Sequence, residues 1–107
     1  MRKGIHKGMD IVHDRRGNEI YITNERWEHI YERHPEIIGY EGHVLKTLRS
    51  GRRKPQLLEP DMFKYSRFYD DLPENHTQII VVVKFGQKID EQGQVKANNF
   101  VITAYMK

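Results

Sequence analysis

The side chains able to do chemistry in this chain are histidines, arginines, lysines and hydroxyls; cysteine is absent. No thiol nucleophile, zinc-thiolate site, disulfide framework or redox pair is therefore available. Neither a glycine-rich phosphate loop nor a carboxylate cluster for magnesium stands in the sequence. His29 and His34 are five residues apart, whereas a helical zinc pair needs i, i+4 spacing to share a face. RNA cleavage fits such a set, because the substrate carries its own nucleophile in the 2′-OH. The protein need only supply a base, an acid and cations for the charge on the pentacoordinate phosphate. A histidine, an arginine, a lysine and Thr or Tyr hydroxyls suffice. The same residue types also occur in domains that only bind.

The elements that must position these groups follow from periodicity. Glu19-Ile20-Tyr21-Ile22 alternates as a strand. Asp10 to Asp14 can pair with Glu19 to Thr23 across the turn Arg15-Arg16-Gly17-Asn18. Thr23 or Asn24 caps a helix running to about His34, where Pro35 stops it because the residue before proline avoids the α region. A second helix, about Tyr40 to Ser50, carries Tyr40, Val44, Leu45 and Leu48 on one face and ends at Gly51. The period then changes to two. Gln56-Leu57-Leu58-Glu59 reads as a short strand and Met62 to Tyr69 as a longer one. Thr77 to Phe85 is apolar on both faces, as a central strand should be, and Phe100 to Met106 follows the turn Asp90-Glu91-Gln92-Gly93. The expected fold is α+β: two N-terminal helices packed on a mainly antiparallel sheet of four to five strands. Residues 1–18 form a basic arm, and 19–107 a single domain.

On this framework Trp27, Ile30, Tyr31 and His34 share one helix face, and His29 lies opposite among charged neighbours. His34 ends the helix, where the macrodipole favours its protonated form; it is either an edge or core histidine or an acid–base group. Along Met62 to Tyr69, alternation groups Phe63, Tyr65, Arg67 and Tyr69, with Arg67 the lone cation. Arg67 is either a packed structural ion or a phosphate ligand between stacking rings. On the last strand Phe100, Ile102, Ala104 and Met106 should face the helices, leaving Asn99, Val101, Thr103 and Tyr105 on the other side.

Lys and Arg number 18 against 15 acids. Residues 1–58 hold 12 basic and 8 acidic side chains, residues 59–107 hold 6 and 7. The excess concentrates at Arg15-Arg16 and at Arg49, Arg52, Arg53 and Lys54. Such clusters can neutralise phosphates, or simply keep a loop solvated. The start of the chain lacks the apolar stretch of a secretory signal, and the longest apolar run, Ile79 to Val83, is too short to span a bilayer. A cytoplasmic protein of a reducing compartment, with no membrane partner, is the expectation.

The string Ile22-Thr23-Asn24-Glu25-Arg26-Trp27-Glu28-His29-Ile30-Tyr31-Glu32-Arg33-His34-Pro35-Glu36 and the Val44-Leu45-Lys46-Thr47-Leu48 helix resemble a known group. So do Tyr65-Ser66-Arg67, Ile80-Val81-Val82-Val83-Lys84 and Val101-Ile102-Thr103-Ala104-Tyr105. Together they resemble the phage-associated nucleases grouped with barnase, EndoU, colicin D and RelE-type toxins, over residues 19 to 106. The resemblance implies a toxin-type endoribonuclease with no cofactor or metal, leaving a 2′,3′-cyclic phosphate and a 5′-hydroxyl. It implies His34 as acid or base, Arg67 and Lys84 on the phosphate charge, and Thr103 and Tyr105 positioning the scissile group. Tyr65 would stack a base, and Arg52, Arg53 and Lys54 would bind the RNA. A cognate inhibitor protein is a further partner to look for. The alternatives are a non-catalytic RNA- or protein-binding module on the same fold and a structural domain of a larger phage polypeptide.

Overall fold

The computed structural model describes residues 8–107; the first part of the basic arm lies outside them. The chain opens with a hairpin, β1 (Met9–His13) antiparallel to β2 (Glu19–Thr23), in the register Asp10 opposite Ile22 and Val12 opposite Ile20. Gly17 turns it with φ 84°, a conformation open to glycine. Helix α1 (Asn24–Arg33) follows directly; the Thr23 hydroxyl caps it by accepting from the Arg26 N–H at 3.0 Å. Pro35 ends it and starts a short 3-10 turn, Pro35–Ile37. Helix α2 (Glu41–Ser50) leads into β3 (Arg52–Pro55), β4 (Met62–Phe68) and β5 (Gln78–Lys84). A small separate ribbon, β6 (Gln87–Ile89) with β7 (Val95–Ala97), precedes the last strand, β8 (Asn99–Met106).

The fold is α+β with a mainly antiparallel sheet, and two parts of the expected arrangement need correction. The main sheet has six strands in the order β1-β2-β8-β5-β4-β3. The helices are not N-terminal to it: they sit between the opening hairpin and the other strands. The hairpin joins the main sheet because β2 pairs in parallel with β8, Ile20 beside Asn99 and Tyr21 beside Phe100. That contact spans nearly the whole chain, so no local pattern announces it. A second correction concerns Gln56 to Glu59. The strand lies earlier, at Arg52–Pro55, and Leu57 and Leu58 are 96% and 90% exposed in the connection to β4. Their apolar character mimicked a buried strand.

One core fills the space between the helices and one sheet face. Trp27 and Ile30 from α1, Val44 and Leu48 from α2, and Ile79, Val81 and Val83 from β5 are all buried in it. A bulge opposite Val82/Val83 inserts an extra residue into β8: Val82 faces Thr103, but Val83 faces Val101. The bulge reverses the inward phase of the strand. Asn99 and Val101 are buried before it and Ala104 and Met106 after it, so Phe100 and Ile102 do not belong to the inward set. The sheet also curls. Asp14, at the end of the opening hairpin, comes round to meet Tyr65 on β4, 51 residues away.

Candidate functional site

The residues singled out from sequence fall into separate places. His34 caps α1, its N–H donating to the Ile30 carbonyl at 2.7 Å. Its ring lies 5.5 Å from that of Tyr105, and its Nδ1 is 3.6 Å from the Glu36 carboxylate. Beyond Phe100 no β2 residue pairs with β8, so α1 and the 3-10 turn pack along that edge and Glu36 accepts from the Met106 N–H at 3.5 Å. Thr103 shares the Tyr105 face, opposite Val82. Lys84 lies farther along that face, its Nζ 3.3 Å from the Asp61 carboxylate.

Arg67 is on the other side of the sheet. It pairs with Ile79, which pairs with Met106, whereas Tyr105 pairs with Ile80. Neighbouring ladder positions point to opposite faces. His34, Arg67 and Thr103 therefore do not converge on one cleft, because the sheet separates them. Tyr65 also differs from expectation. At 1% exposure, with its hydroxyl donating to Asp14 at 2.5 Å, its ring belongs to the core and cannot stack a base. Arg52, Arg53 and Lys54 form β3, and the Arg53 guanidinium lies 4.4 Å over the Phe63 ring.

Arg67 instead belongs to an open cleft of about 830 Å³ between α2 and the end of β4. Its other polar walls are His43, Lys46, Tyr69, Asp70 and Asp71. His43 sits in the first turn of α2, between the rings of Tyr40 at 5.1 Å and Tyr69 at 4.8 Å. Its Nε2 lies 2.9 Å from the Asp71 carboxylate, and this hydrogen bond holds Asp71 below its ordinary titration range. The backbone beneath His43 is fixed from two sides. Its carbonyl accepts from the buried Thr47 hydroxyl at 2.8 Å and from the Tyr69 hydroxyl at 3.0 Å.

Across the cleft Arg67 lies 5.4 Å from the Tyr69 ring and donates through Nη1 to the Ser50 hydroxyl at 3.2 Å. Its Nε is buried and has no hydrogen-bond partner among the described residues. A buried donor left unsatisfied is costly. Lys46 stands one turn after His43, on the same side of α2. The cleft thus holds an imidazole oriented by a carboxylate, with two cations nearby. A carboxylate on Nε2 keeps the proton there and leaves the lone pair on Nδ1, the form that can take a proton from a substrate.

His43, Lys46, Tyr69 and Asp71 carried no site role in the sequence. The i, i+3 pair His43–Lys46 on the polar side of an amphipathic helix was the one local signal. Asp71 lies in the connection after β4, and only the tertiary fold brings it to the helix. Among the described residues, no three His, Cys, Asp or Glu side chains are grouped closely enough to hold a metal ion, and no helix is long and apolar enough to cross a membrane. No family model, curated protein or solved structure matches this chain.

Proposed function

We propose that this chain is an endoribonuclease whose reaction takes place in the cleft between α2 and β4. The observation that carries the reading is the His43–Asp71 pair, 2.9 Å apart, in a cleft that the cations Lys46 and Arg67 also line. In this reading His43 Nδ1 takes the proton from the 2′-OH and the freed oxygen attacks the adjacent phosphorus. The bond to the 5′-oxygen breaks as Lys46 protonates it, leaving a 2′,3′-cyclic phosphate and a 5′-hydroxyl. Arg67 stabilises the extra charge on the phosphoryl oxygens, and Asp71 holds the imidazole tautomer. The resemblance to phage-associated nucleases supports the same reaction class, with Arg67 the member of its implied set that stays in the site. Because the substrate provides the nucleophile, no metal is required.

The test is cleavage of RNA by the purified protein in EDTA, with the product ends identified. Cyclic phosphate and 5′-hydroxyl ends are expected, with no cleavage at a nucleotide carrying a single 2′-deoxy substitution. His43→Ala should lower the rate by about 10²-fold or more, while His34→Ala, at the far edge of the sheet, should change it little. Intact RNA after long incubation would move the chain to the binding-module reading. A larger loss from His34→Ala than from His43→Ala would return the site to the Tyr105 edge.

A further inference from the structure

Two basic clusters far apart in sequence meet in space. Arg15 and Arg16 occupy the turn between β1 and β2, and Arg52 and Arg53 begin β3. The curl of the sheet brings them together around a pocket of about 330 Å³ with Asp14, Gly51 and Tyr65. Four arginines and one carboxylate line it. That carboxylate is already occupied: Asp14 is 8% exposed and accepts from the Arg16 N–H, the Asn18 N–H, the Asn18 side-chain amide and the Tyr65 hydroxyl. Among the described residues, none of the four arginines lies within ion-pair distance of a carboxylate. Arg53 is held in place by its stacking on Phe63 and Phe85; Arg15, Arg16 and Arg52 are exposed. Arginines without a carboxylate partner around a concavity match a phosphate, whose oxygens accept the paired N–H groups of a guanidinium fork.

The pocket also neighbours the His43 cleft. Tyr65 in its wall and Arg67 in the cleft are two residues apart on the same face of β4, roughly 6.6 Å at strand rise. Ser50, which holds Arg67, directly precedes Gly51 in the pocket. We propose that the arginine pocket is a phosphate subsite for the strand cleaved at His43, holding a backbone phosphate next to the scissile one. The identity of the strand rests on the nuclease reading of the cleft; the pocket's affinity for phosphate does not.

The experiment measures binding separately from cleavage. A fluorescent 2′-O-methyl oligonucleotide of about ten nucleotides, within the site size of single-strand grooves, is titrated at several salt concentrations by anisotropy. The variant Arg15→Ala/Arg16→Ala/Arg52→Ala alters only exposed side chains and is checked for folding by circular dichroism. It should bind about tenfold more weakly, with a salt slope shallower by about 0.7 or more, as expected for one lost phosphate contact on a single strand. A control of equal charge change, Arg33→Ala/Lys88→Ala/Lys96→Ala, should shift affinity less than about threefold. Equal affinity and slope in the two variants would overturn the proposal. So would wild-type binding to vesicles containing anionic lipid without binding to the oligonucleotide. If wild type cleaves through His43 while the arginine variant binds normally, the pocket falls and the nuclease reading stands. If the arginine variant loses binding while wild type never cleaves, the nuclease reading falls and the phosphate pocket stands.

Discussion

At the scale of single residues, Asp14 and Tyr65 form a polar contact that ties the opening hairpin to β4, four strands from β1 in the sheet order. Burial pushes the Asp14 carboxyl up, but hydrogen bonds from Tyr65, Asn18 and the Arg16 backbone outweigh it and leave the group below its ordinary 3.8. Burial and the nearby Asp14 carboxylate raise the Tyr65 hydroxyl above its ordinary 10.0. The signs of the two contributions differ. A carboxyl depressed in the folded state stabilises above 3.8, and that contribution is lost as pH falls through the folded value. A phenol raised in the folded state stabilises below 10.0, and its contribution is lost as pH climbs past that point. Tyr65→Phe should cost about 1.5–3 kcal/mol near neutrality, the range for a hydrogen bond to a charged group. It should also make the acid loss below 3.8 shallower and remove this residue's alkaline loss. Denaturant unfolding across pH for both proteins measures all three effects; parallel curves with a constant offset would show that the pair does not titrate as described.

At the scale of elements, the legible parts were those set by local rules. The Thr23 cap, the stop at Pro35 and the β-branched central strand each rest on residues within one turn or one strand of their effect. The illegible parts depend on distant partners. The β8 bulge answers to pairing with β5, and β3 is placed by its register with β4, Arg52 opposite Ser66. The site followed the same division: Arg67 was visible as a cation among aromatics, whereas His43 gained meaning only when Asp71 and Tyr69 were folded against it. Gly51 illustrates how a correct position can have an unexpected cause. It ends α2, yet its φ is −77°, so no left-handed turn requires glycine there. The requirement is space: an added Cβ would collide with the Thr47 carbonyl and lie 2.6 Å from the Ser66 carbonyl, both of them backbone atoms. Gly51→Ala should therefore destabilise by about 1–3 kcal/mol, the cost of forced overpacking, measured as a fall in denaturant midpoint. A neutral or stabilising effect would mean that α2 and β4 can separate at this point without loss.

At the scale of the whole molecule, the two ends of the described chain hold one another. β2 pairs with β8 across a separation of about eighty residues, Ile20 beside Asn99, and Asp14 closes the curl onto β4. Among the described residues, the opening hairpin pairs into the sheet only through β8, which itself pairs with β5. Hairpins alone are marginal in water, so these contacts should form and break together. Trp27 offers a probe of this coupling. It is the chain's single tryptophan, it is 1% exposed, and its indole N–H donates to the Asp10 carboxylate on β1 at 2.8 Å. Its emission therefore reports the β1–α1 end of the molecule, while far-ultraviolet circular dichroism reports all the helices and strands. A single cooperative unit requires both signals to change at the same denaturant concentration and with the same slope. If the hairpin were only a loosely held arm, the Trp27 emission would shift to the red first, leaving most of the circular dichroism intact. Coincident curves are the expected result, because Val12, Ile20 and Ile22 from the hairpin lie in the same core as Val44, Leu48 and Val81. Peeling the hairpin away would expose that core to water at once, at roughly 25 cal/mol for each Å² of apolar surface uncovered.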